Sequence, residues 1–106
     1  LASRPSLETE RPMLFVMTCL DKPNAGSLRA DTRPAHLDFI RARIGHVALA
    51  GPLFAEDGKT PIGSLLVVDF PSRAELDRFA AEDPYAKAGL FQSVTVRPFR
   101  KVFPEG

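Results

Sequence analysis

Short apolar runs alternate with amphipathic stretches along this chain. Met13–Leu20, MLFVMTCL, is apolar at almost every position and carries β-branched and aromatic side chains, a pattern that predicts a buried strand. DKPNAGS breaks it as a loop. Asp31 or Thr32 then supplies an N-cap for a helix with Pro34 in its first turn, where a missing N–H costs nothing. That helix runs to about Ile44 and is stopped by Gly45. Val47–Phe54 predicts a second strand containing Gly51-Pro52, AEDGKTP is a turn-rich loop, and Gly63–Phe70 predicts a third strand, again nearly all apolar. Ser72 caps a second helix, SRAELDRFAAED, in which Glu75 completes a capping box and Leu76, Phe79 and Ala80 form the inward stripe. Asp83-Pro84 interrupts it, Tyr85–Ala88 adds a turn that Gly89 ends, and Phe91–Phe103 closes the domain as a long strand.

The order βαββαβ predicts an α+β fold of ferredoxin-like type. Right-handed crossovers place both helices on one face of a four-stranded antiparallel sheet, in the spatial order 4-1-3-2. The residue pattern agrees: the two continuous apolar runs fall on central strands 1 and 3. Pro52 and Pro98 fall on edge strands 2 and 4, where a lost ladder bond is tolerated. Strands 1 and 3 are apolar on both faces, with Leu14 and Val16 opposing Phe15 and Met17, and Leu65 and Val67 opposing Leu66 and Val68. Two helices cover only one face, so the other is expected to pack against a second copy, as a symmetric homodimer joined sheet to sheet.

The 106 residues are enough for one domain, expected over 13–106, with the polar, proline-containing residues 1–12 read as a flexible tail. A formal net charge of +1 without any block of like charges gives no sign of nucleic acid or an anionic membrane as a partner. Arg97, Arg100 and Lys101 are read as a solvated or salt-bridged strand edge rather than a phosphate-binding patch. No apolar stretch reaches the roughly 18 residues needed to cross a bilayer. Cys19 stands alone inside an apolar run, which fits a buried, inert thiol and a cytoplasmic setting. His46, just past a helix stop, is a surface residue, and with no other well-placed histidine or thiolate group a metal site is not expected. The glycines form neither a GxGxxG nor a P-loop, so no nucleotide cofactor is expected either.

Two polar residues do not fit the core. Positions 33, 36, 40, 44 and 47 follow helical spacing, so Arg33 and His36 share the side of Ile40, Ile44 and Val47 that meets the sheet. By periodicity alone the plainer reading of His36 is an imidazole satisfied by a backbone carbonyl. Asp83 ends a helix, where the macrodipole disfavours a carboxylate, and its plainer reading is a cap for the Tyr85–Ala88 turn.

The set RPAHL, AGP at 50–52, Gly63-Ser64, DPYAKAGL at 83–90 and RPFRKVF at 97–103 changes that balance. In this order the motifs resemble the YciI-like (YCII-related) family of the dimeric α+β barrel superfamily, over Met13 to Phe103. The resemblance implies a ferredoxin-like fold dimerised through its sheets. It also implies a pocket between helices and sheet holding a histidine–aspartate pair, here His36 and Asp83 as the candidate catalytic residues. Arg33, Gly51, Pro52, Ser64 and Tyr85 fall on motif positions that would bind or shape a substrate in the same pocket.

A carboxylate holding one imidazole nitrogen fixes the tautomer and leaves the other nitrogen to accept a proton. No nucleophile-elbow motif accompanies the pair, which turns the reading away from acyl-enzyme chemistry. What remains is general acid–base work of isomerase, lyase or hydrolytic dehalogenation type on a small anionic or aromatic-derived metabolite, without a cofactor. Arg33 would hold its carboxylate or phenolate. The alternative is a small dimer that binds a metabolite without converting it; a purely structural partner protein is a third class.

Overall fold

The computed structural model describes residues 13–105, so the expected tail lies outside the described residues. The elements are β1 (Leu14–Asp21), α1 (Leu28–Ala42), a 3₁₀ turn (Ile44–His46), β2 (Val47–Phe54), β3 (Pro61–Asp69), α2 (Arg73–Glu82), α3 (Pro84–Lys87) and β4 (Phe91–Phe99). The four strands form one antiparallel sheet in the order β2-β3-β1-β4, the order anticipated from the apolar runs. This is the α+β ferredoxin-like arrangement.

The core lies between the helices and one sheet face. Phe15, Met17 and Cys19 of β1 alternate with their neighbours, and through the register pairs Phe15–Val68 and Met17–Leu66 they join β3. Phe39 and Ile40 of α1 and Leu76 and Phe79 of α2 close the layer above them. The α2 cap is formed as expected, with Ser72 Oγ accepting from the Glu75 amide at 3.2 Å. The opposite sheet face is apolar and lacks a second layer among the described residues. Val16 pairs with Val67 there, Val67 is buried yet stands outside the contiguous core, and Leu49 and Phe99 remain 55% and 44% exposed.

Three expectations are corrected. Helix α1 begins at Leu28, a turn before Asp31, so Pro34 sits in its interior and removes one i→i−4 bond. Tertiary contacts outweigh that local cost, because the added turn carries Arg29 into an ion pair with Asp21. Ser27, not Asp31, takes the cap position, and its hydroxyl donates to Asp31 at 2.9 Å. At the other end, α1 stops at Ala42 and the tighter 3₁₀ turn swings Ile44 off the inward stripe, leaving it 62% exposed. Finally, β3 starts at Pro61, two residues early, and β4 stops at Phe99, so Arg100–Phe103 lies beyond the sheet.

One close strand contact and one turn support the sheet around the site. Gly63 is required by close approach, since a Cβ there would overlap the Cys19 carbonyl oxygen across the β1–β3 ladder. The β2–β3 hairpin is tied by Asp57, which accepts from the Lys59 and Thr60 amides at 2.8 and 2.9 Å and from the Thr60 hydroxyl. Those bonds, the hydroxyl's foremost, hold its carboxyl down at about 2.

Candidate active site

The site is built where α1 faces Ser64 and Leu66 of β3 and where α2 gives way to α3. Asp83 precedes a proline and takes the extended backbone that such residues prefer, φ −61° and ψ 128°, so α2 must end there. Its side chain turns back to cap α3: Oδ1 accepts from the Tyr85 amide at 2.9 Å. The same oxygen lies 2.9 Å from His36 Nδ1, and both side chains are buried. The capping role and the histidine partnership, which the sequence set against each other, coexist on one oxygen atom.

This geometry selects a tautomer. A carboxylate only accepts, so Nδ1 carries the proton and donates to Asp83, and in the neutral ring Nε2 is then the accepting nitrogen. The imidazole stacks on the Tyr85 ring, with centroids 4.0 Å apart and planes inclined by 15°. Tyr85 is fixed in turn by an edge contact with Phe91 and by the Arg29 guanidinium, 4.7 Å from its ring centroid. Burial pushes the Tyr85 phenol up, against the opposing pull of Arg29 and Arg33, so it stays a neutral hydrogen-bonding group at physiological pH.

Arg29 and Asp21 form the second part of the site, and the sequence reading missed both. Arg29 Nε and Nη2 bind the two Asp21 oxygens at 2.7 and 2.8 Å, and Nη2 also donates to Ser64 Oγ at 2.9 Å. Burial works against the Arg29 charge, but the hydrogen bond and Coulomb attraction of Asp21 outweigh it and raise its pKa. The signal was present: positions 29, 33, 36 and 40 follow one helical stripe, and a helix begun one turn earlier places Arg29 on it. Cys19 lies beneath this layer. Burial first, and then the Asp83 carboxylate, push its thiol up to about 12, which keeps it protonated and unreactive.

A cavity of about 170 Å³ opens above these residues. Arg33, His36, Gly51, Pro52, Ser64 and Tyr85 all line it, so six of the seven candidate site residues singled out in the sequence share one cavity. The seventh, Asp83, does not line the cavity; it stands behind the imidazole and touches the pocket only through it. Arg33 is exposed at the rim. His46 lies elsewhere, stacked on Phe70 and bonded through Nδ1 to the Asp69 carbonyl.

Residues 13–100 match the model of the YCII-related domain. The chain belongs to the YCII-related family. Protein YciI of Escherichia coli O6:H1 is 36% identical to this YCII-related chain over 98 residues, 86% of the chain and 100% of the relative. Among solved structures, 5-chloro-2-hydroxyhydroquinone dehydrochlorinase (TftG) from Burkholderia phenoliruptrix AC1100, in complex with 2,5-dihydroxybenzoquinone, is 33% identical. It superposes with a TM-score of 0.74 over 83% of this chain and 94% of that one. An antibiotic biosynthesis monooxygenase, 15% identical with a TM-score of 0.52 over 85% of this chain and 98% of its own, shares the fold alone. No helix among the described residues is long and apolar enough to cross a membrane.

Proposed function

We propose that this YCII-related protein is an acid–base enzyme acting on a small anionic ring compound, with His36 as the general base and Asp83 as its orienting partner. The observation that carries the reading is the 2.9 Å bond from His36 Nδ1 to Asp83, which leaves Nε2 as a proton acceptor on a ring that lines the cavity. Nε2 takes a hydroxyl or activated C–H proton from the substrate, and the Asp83 carboxylate stabilises the imidazolium that results. Arg33 holds the substrate's anionic group, and Ser64 and Tyr85 offer hydrogen bonds. The likeness to a dehydrochlorinase bound to a dihydroxybenzoquinone favours elimination from a hydroxylated ring over hydrolysis.

Turnover tests it. Incubated with a panel of chlorinated and unchlorinated hydroxyhydroquinones under anaerobic conditions, the wild-type protein releases chloride or exchanges ring protons with solvent deuterium, and His36→Ala does neither. A panel that raises the melting temperature without any turnover would instead favour the non-catalytic binding dimer.

We also propose that two copies pack through the helix-free sheet face, since it carries Leu14, Val16, Leu65 and Val67 at its centre and leaves Leu49 and Phe99 exposed. Light scattering at micromolar concentration should give twice the chain mass, and Val16→Asp should give the single-chain mass. A wild-type protein that stays monomeric at all concentrations overturns the dimer.

A further inference from the structure

Next to the small cavity lies an open cleft of about 640 Å³, walled by the β1–α1 loop, the first turns of α1 and the β2–β3 hairpin. The two spaces share Arg29, Arg33 and Pro52 in their walls, so they are compartments of one site with the two guanidinium groups at the junction. They differ in size and character. An engineered apolar cavity of about 150 Å³ accommodates benzene, so the inner 170 Å³ fits one six-membered ring and not a fused system. The outer cleft is several times larger and mainly apolar, walled by Pro23, Ala25, Ala30, Phe54, Pro61 and Ile62.

Phe54 and Ile62, both on strands of the β2–β3 hairpin, are 46% and 41% exposed. They are large apolar side chains held at a cleft rather than in the core. The charges around the cleft are lopsided: Arg29, Arg33 and Lys22 face one carboxylate, Asp21, and that carboxylate is taken up by Arg29. Neither Arg33 nor Lys22 has an ion-pair partner among the described residues. An apolar cleft with one unpaired guanidinium, Arg33, in the wall it shares with the inner cavity is complementary to an amphipathic anion.

We propose that the natural ligand is bipartite: an anionic single ring in the inner cavity beside His36, its charge on Arg33 at the junction, and an apolar substituent lying in the outer cleft. The inference rests on the acid–base reading for the ring's place and adds the second compartment. It assigns specificity to residues that touch no reacting atom, with Ala30, Phe54 and Ile62 selecting the substituent.

Two probes separate the compartments: 2,5-dihydroxybenzoquinone, and the same ring carrying a hexyl chain at position 3, each titrated into the full-length protein by calorimetry. The hexyl compound should bind about tenfold or more tightly than the parent, since its methylenes leave water for the apolar cleft. Arg33→Gln should weaken both by about tenfold, the loss of a charge-assisted contact. Ile62→Asn and Ala30→Trp, two exposed substitutions that alter the cleft by polarity and by bulk without adding charge, should remove the hexyl advantage and leave the parent's affinity unchanged. Equal affinity of the two probes for the wild-type protein overturns the bipartite ligand while leaving the ring's place beside His36 standing. A hexyl advantage that survives both cleft variants also overturns it, because the chain would then be bound elsewhere. If neither probe binds, the anionic-ring substrate fails as well.

Discussion

Asp83→Asn should lower turnover by about 10²-fold with the His36 tautomer intact, and Asp83→Ala by about 10³-fold or more with the tautomer lost. The difference follows from the two donors that converge on one oxygen. In the wild type, Oδ1 accepts from both the Tyr85 amide and His36 Nδ1. An asparagine amide placed there keeps its oxygen against the Tyr85 N–H, because rotation would set an NH₂ group against a backbone donor. The same oxygen can still accept from Nδ1, so the proton stays on that nitrogen. What is lost is the negative charge that stabilises the imidazolium. Alanine removes the acceptor altogether: α3 loses its cap and the buried Nδ1 its partner, at a cost of about 2 kcal/mol in stability. Long-range ¹H–¹⁵N correlations of the His36 ring test the structural half without any substrate. Wild type and Asp83→Asn should both show protonated Nδ1 and unprotonated Nε2. An Nε2–H tautomer in the wild type would remove His36 as a base.

What the residue pattern made legible was the information that is local in sequence. Strand order could be read because burial on two faces leaves continuous apolar runs in β1 and β3, while prolines mark β2 and β4 as edges. The α2 cap was legible because Ser72 and Glu75 stand within one turn of each other. The helix α1 boundary was not, because Pro34 carries a strong local signal for a first turn. The contact that overrides it, Arg29 to Asp21, joins a helix to a strand end across the β1–α1 loop. The His36–Asp83 pairing spans 47 positions and has no periodic signature; it came from a resemblance between ordered motifs, and the geometry then supplied the atoms. The stack of His36 on Tyr85 had no sequence signal, since it depends on how α3 is turned by its cap. Charges that satisfy one another over distance are the part of a site that patterning hides. Arg29 and Asp21 are the instance here.

That pair sets the other large effect. Arg29→Ala should destabilise the fold by about 3 kcal/mol, the cost of leaving a partner of a buried ion pair unpaired. The pair is shielded, with the Arg29 and Asp21 side chains 13% and 10% exposed, so solvent screens it little. For a domain of this size the loss corresponds to a melting temperature lower by roughly 15 °C. The single substitution strands Asp21, removes the donor to Ser64 Oγ and takes the cation from the Tyr85 ring. Arg29→Lys restores the charge but not the two-point geometry and should recover only part of the loss. The double substitution Arg29→Met with Asp21→Leu leaves no stranded charge and should return stability to within about 1 kcal/mol of wild type. The same series decides how Arg29 serves the site. If it positions Tyr85 and through it the His36 ring, the double variant folds yet binds 2,5-dihydroxybenzoquinone more weakly, with the His36–Tyr85 ring-current shifts altered. If Arg29 instead bears on the ligand directly, Arg29→Ala lowers affinity while the melting temperature holds. A melting temperature unchanged by Arg29→Ala would therefore move Arg29 from the scaffold of the site to its ligand-binding surface, because a shielded carboxylate cannot lose its paired guanidinium without cost.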